Sequence, residues 1–116
     1  MPPPIKVEPR LLPLTGPASS PEAEISALCW VDSTLVLVPQ HPERFGDRPG
    51  ALGFFVLDRA DILDHVEGRS DAPLEPRPVT CHAPGLANMV GAFDGLEAVA
   101  VHENQLFISI ESVSHR

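Results

Sequence analysis

What the chain lacks narrows its function first. No run approaches the roughly 18 apolar residues that a membrane-crossing helix needs, and the start Met-Pro-Pro-Pro-Ile-Lys has no apolar stretch of the secretory kind. As written, the chain reads as cytoplasmic, or as periplasmic or secreted if the true N-terminus is missing. Basic residues are scarce, 8 against 16 acidic ones, for a formal charge of −8. That balance repels phosphate backbones and anionic lipid, which excludes nucleic acid and membrane as partners and suits cations. Aromatics make up only 5% of the residues, and 14 prolines cut the chain into short pieces, which excludes a helix bundle.

Catalytic signatures are missing too. There is no Gly-x-Ser-x-Gly, and Ser19, Ser20, Ser70, Ser112 and Ser114 fall in polar tails or turns. No Gly-x-Gly-x-x-Gly or Walker loop occurs. The five histidines, His41, His65, His82, His102 and His115, show no metal-ligand spacing, and the adjacent Cys81 and His82 would point to opposite faces of a strand. Enzyme activity from these 116 residues alone is not expected.

What is present is a repeated layout. Residues 24–38 run as a Glu, an apolar strand, a polar turn and a second apolar strand, and residues 93–111 run the same way. Aligning Glu24 with Glu97 places Ala27 on Ala100 and Leu28 on Val101, giving a period of 73 if the first turn is two residues longer. Four strand candidates fit one period, the count of a propeller blade. The expected fold is therefore all-β: an antiparallel four-stranded blade, the start of a second blade, and one short inserted helix. Residues 1–23 form a Pro-rich N-terminal segment and residues 24–116 a partial β-propeller.

Along the chain, residues 1–23 carry seven of the prolines, and residues 5–14 are expected either to line a sheet edge or to hang free. Strands at 25–30 and 34–39 are nearly all apolar, which predicts burial on both faces. Residues 40–50 form a long polar loop, of the kind that carries function. A third strand at 53–57 leads to Asp58 as N-cap and to a two-turn helix ending at Gly68, with Ile62, Leu63 and Val66 on one face. Residues 69–78 read as a stiff connector, residues 79–82 as an outer fourth strand, and residues 85–94 as the return to the next inner strand. Each strand should lie beside its predecessor. Cys29 and Cys81 then sit three strand steps apart, about 14 Å, beyond the roughly 7 Å that a disulfide spans, so both thiols should be free.

The order of Glu-Ile-Ser-Ala-Leu-Cys-Trp, Leu-Val-Leu-Val-Pro-Gln, Leu-Asp-Arg-Ala-Asp-Ile-Leu, Pro-Arg-Pro-Val and Phe-Asp-Gly-Leu-Glu-Ala-Val-Ala-Val resembles the opening blades of bacterial phytase-like proteins, described as esterase-like activity of phytase. The resemblance covers residues 24–111, and Ala27 and Ala98 stand where relatives often have glycine. It implies a β-propeller whose complete parent is a metal-dependent hydrolase acting on a small phosphate or ester substrate. Related propellers such as calcium-activated apyrases place glutamates of this Glu-x-Ser-x-Leu kind on a channel Ca²⁺. By that resemblance Glu24 and Glu97 are the metal positions; no catalytic residue is implied. Glu111, at the end of the last strand, corresponds to the region of Pro39 and Gln40. The alternative is a non-catalytic propeller module for binding or scaffolding. In either case one and a half blades leave an apolar edge at residues 106–110, which predicts self-association.

Overall fold

The computed structural model describes residues 3–82, 95–103 and 105–111. It holds six strands, β1 (Ile25–Val31), β2 (Thr34–Pro39), β3 (Ala51–Asp58), β4 (Arg77–His82), β5 (Gly95–His102) and β6 (Gln105–Glu111), and one helix, α1 (Arg59–Val66). Strands β1 to β4 form one antiparallel sheet in chain order, and β5 and β6 form a second, two-stranded sheet. The expected neighbour order holds. Among the described residues no helix is long and apolar enough to cross a membrane.

Cross-strand pairing sorts the first sheet into two faces. Its front carries Ala27, Cys29, Val36, Val38, Leu52 and Phe54; its back carries Leu28, Trp30, Leu35, Leu37, Phe55 and Leu57. On the front, Val38, Leu52 and Phe54 form a buried cluster against which Val99 and Ile108 of the second sheet pack. On the back, Leu37, Phe55 and Leu57 are buried with Ala18 and Leu74, and Leu12, Leu14, Phe45 and Ile62 lean on them. β3, one of the two interior strands, is buried from Ala51 through Leu57.

Three segments outside the strands and the helix help build that back layer. Of residues 5–14, expected at a sheet edge or hanging free, Leu12 and Leu14 pack on the back of the sheet: Leu14 makes a parallel bridge to Leu74, with Thr15 N–H donating to the Leu74 carbonyl at 2.9 Å and Leu74 N–H donating to the Pro13 carbonyl at 2.8 Å. Ile5, Val7 and Leu11 remain exposed. The connector at 69–78 contributes Leu74 to this layer, and its Pro76 is fully buried. The polar loop at 40–50 adds Phe45 to the same layer. Pro42 opens a 3₁₀ turn, and Phe45 meets Phe55 edge-on at 5.6 Å between ring centroids. Gly53 admits this approach: a Cβ there would lie 2.0 Å from the Phe45 carbonyl oxygen.

The helix starts where expected, but not by the expected chemistry. Asp58 sits at the N-cap without a capping hydrogen bond, and its Oδ1 accepts instead from Arg77 Nη2 at 3.0 Å, tying the end of β3 to the start of β4. Of the apolar residues Ile62, Leu63 and Val66, it is Ile62 that packs against the core cluster; Val66 is exposed.

The two hairpins repeat, with a different period from the one the sequence suggests. Each pair of β1–β2 recurs in β5–β6 shifted by 71: Ala27 and Val38 become Ala98 and Ser109, and Val31 and Thr34 become His102 and Gln105. The irregularity between Ile25 and Ala27 recurs between Leu96 and Ala98, and the left-handed turn residue Asp32 (φ 52°) recurs as Glu103 (φ 50°). Both turns have two central residues, so no two-residue insertion exists. The period is 71, not 73.

Candidate functional site

Changing the period by two changes which residues correspond. Under the 71-residue shift Glu24 falls on Gly95, Glu97 falls on Ser26, and Gln40 falls on Glu111. The two glutamates singled out for a metal are therefore not equivalent positions of the repeat. Glu24 stands just before β1 in the left-handed region (φ 42°), and its carbonyl accepts the Gln40 N–H at 3.0 Å. Glu97 lies within β5 at the bulge, and Glu111 ends β6 opposite Gly95; for both, the backbone is described and the side chain is not. β1, which Glu24 precedes, and β5, which carries Glu97, pack against each other. Among the described residues no three His, Cys, Asp or Glu side chains gather in a group that could hold a metal.

The histidines are dispersed. His41 Nδ1 lies 3.3 Å from Glu43 Oε1, both side chains being 21% exposed, and this pair belongs to the packed loop. His82 Nδ1 accepts from Arg48 Nε at 3.4 Å, and His102 stands 3.7 Å from Glu103 in the second turn. The Nδ1 of His65 is buried without a partner among the described residues, on the exposed helix α1. His115, Ser112, Ser114 and the return segment 85–94 lie outside the described residues. Cys29 and Cys81 are free, on the opposite edge strands of the first sheet. Burial pushes the Cys29 thiol above its ordinary value, so it is a packed thiol and not a poised nucleophile.

What the fold does assemble is apolar. Between the front of the first sheet and the second hairpin runs a groove of about 300 Å³, with Val36, Phe54, Val56 and Val79 on one wall and Val101 and Leu106 on the other. It arises because β3 and β4 extend past the two-stranded second sheet. β2 has β3 along its outer side, whereas β6, its counterpart, has no further strand among the described residues.

Two more apolar surfaces lie open, and reading the strands as buried on both faces missed them. Leu28 is 57% exposed and Trp30 50%, because the back layer covers β2 and β3 and reaches the edge strand β1 only at Ile25. On the second hairpin Phe107 is 53% exposed beside Ala98, Ala100 and Ser109. No sequence signal marks the first of them, because the exposed Leu28 and Trp30 are as apolar as their half-buried neighbours Ala27, Cys29 and Val31.

Comparison with family models, with curated proteins and with solved structures finds no match for this chain.

Proposed function

We propose that the chain forms the opening of a β-propeller, with β1 to β4 as a first blade and β5 and β6 as the inner half of a second. One observation carries this reading: the β1–β2 hairpin recurs 71 residues later with the same register, bulge and turn, and the recurrence packs by one face onto the front of the first sheet. Face-to-face stacking of repeated antiparallel sheets is how blades bury their surfaces.

On this reading, and on the resemblance to phytase-like proteins, the complete parent is a hydrolase acting on a small phosphate or ester substrate over a metal near the propeller axis. Glu24, just before β1, and Glu97, at the bulge within the neighbouring strand β5, are the carboxylates offered to Ca²⁺. Two carboxylates brought to 4 Å repel by about 4 kcal/mol at an effective dielectric near 20, and a divalent cation removes that cost. Two glutamates supply at most four of the six to eight oxygens that calcium takes, so this chain alone should bind weakly, with Kd roughly millimolar.

Calorimetric titration with Ca²⁺ tests the reading, on the chain and on its Glu24→Gln, Glu97→Gln double variant. Loss of binding in the double variant is expected; equal binding removes these residues from the site. Phosphomonoester and carboxylester hydrolysis, assayed with and without Ca²⁺ on a chain carrying further repeats, tests the parent's chemistry. A second reading, a binding or scaffold module built from the same repeats, draws support from the open apolar faces at Trp30 and Phe107. It would stand if neither calcium binding nor hydrolysis is found.

A further inference from the structure

We infer that the chain associates head to tail, the outward face of the β5–β6 hairpin in one copy seating on the Leu28 and Trp30 face of β1 in a second copy. The inference rests on the stacked-repeat reading above and commits it to a particular interface.

The chain contains the template for that contact. The front of the first hairpin, Ala27, Cys29, Val36 and Val38, lies against the back of the second, whose Val99 and Ile108 pack onto the cluster of Val38, Leu52 and Phe54. The 71-residue shift converts the first hairpin's front into Ala98, Ala100, Phe107 and Ser109, and converts Leu28 and Trp30 of its back into Val99 and Val101. Each repeat therefore has one front and one back; the front of the second hairpin is uncovered, and the back of the first is covered by the chain's own Ala18 and Leu74 layer at Leu35 and Leu37. The unused front is exposed, and its residues, with Val99 and Ile108, line a shallow depression of about 260 Å³. The uncovered part of the back is exposed at Leu28 and Trp30. Bare Leu28 corresponds to Val99 and bare Trp30 to Val101 of the covering hairpin, while Leu35 and Leu37, the counterparts of Leu106 and Ile108, lie under the chain's own back layer.

This geometry is heterologous: front meets back, so a dimer still carries one bare front and one bare back. Growth continues to a closed ring or an open filament, depending on the rotation per step. Copies of net charge −8 repel one another, and added salt screens that repulsion while leaving apolar contact intact. Association should therefore strengthen as ionic strength rises.

Light scattering on the purified chain, with Trp30 fluorescence as the sole tryptophan signal, tests the inference. Mass should rise with concentration through multiples greater than two, and Trp30 emission should move to shorter wavelength as the ring is covered. Leu28→Glu removes the back and Phe107→Glu removes the front, so each variant alone should be monomeric. Their equimolar mixture should stop at a heterodimer, made by the intact front of one and the intact back of the other. A wild-type chain that stays monomeric at every concentration overturns the inference. So does a single variant that still self-associates, since edge-to-edge pairing of β6 with β6 needs neither face. Far-UV circular dichroism identifies a variant that fails to fold, and Leu28→Ser or Phe107→Ser then replaces it. Val99→Asp separates this inference from the reading beneath it. If that change leaves the melting temperature unaltered, the stacking within the chain is wrong; if it lowers it while the wild type is monomeric, only the association is wrong.

Discussion

The β1–β2 and β5–β6 hairpins share turn, bulge and register, yet they differ sharply in burial. In the first, Leu37 and Val38 are almost wholly buried; in the second, their counterparts are the half-buried Ile108 and the exposed Ser109. Local sequence is enough to build the hairpin twice. Burial comes from neighbours: β3 pairs with β2, and the Leu14, Phe45 and Leu74 layer covers the back of the first sheet. A hairpin is thus a local product, whereas a core needs the layers on either side of it.

Substitutions can sharpen or break that contrast. The largest effect belongs to Phe55→Ala, which empties the buried centre of the back layer and should cost about 3–5 kcal/mol by thermal or urea unfolding. Gly53→Ala comes next. Its new methyl would meet the Phe45 carbonyl, so the loop must shift, at about 1–3 kcal/mol. Ile108→Ala, in the half-buried hairpin, should cost about 1–2 kcal/mol, below the range for fully buried aliphatic truncations. An Ile108→Ala loss equal to that of Phe55→Ala would erase the contrast between the two regions. Leu28→Ser, on the open face of β1, should change monomer stability by no more than about 0.5 kcal/mol. Smallest of all is a reading that perturbs nothing: with a thiol reagent near pH 8, exposed Cys81 should react before Cys29, whose thiolate is disfavoured by burial.

Much of the first sheet was legible because short apolar runs separated by turn residues leave few alternatives. The four-strand order, the helix after Asp58 and the two free thiols all followed from spacing. The repeat was legible but its period was not. Insisting that Glu24 match Glu97 forced a two-residue gap into the turn, whereas the gap-free shift of 71 aligns Ala27 with Ala98, Leu35 with Leu106, and Asp32 with Glu103. A turn residue held in the left-handed region was a firmer anchor than a carboxylate, because backbone geometry constrains it directly. The back layer was illegible for a different reason: Leu14 meets Leu74 across 60 positions through one isolated bridge, and no local periodicity announces such a contact. The exposure of Leu28 and Trp30 could not be read from apolar content, since an apolar edge strand looks the same covered or bare.

Methyl nuclear Overhauser contacts under conditions where the chain is monomeric reach the stacking of the two repeats most directly. Contacts from Val99 and Ile108 to Val38 and Leu52 should be present, together with cross-strand contacts that pair Ala98 with Ser109 as Ala27 pairs with Val38. A spectrum that shows both hairpins formed, but no methyl contact from Val99 or Ile108 to the Val38 and Leu52 cluster, would contradict it.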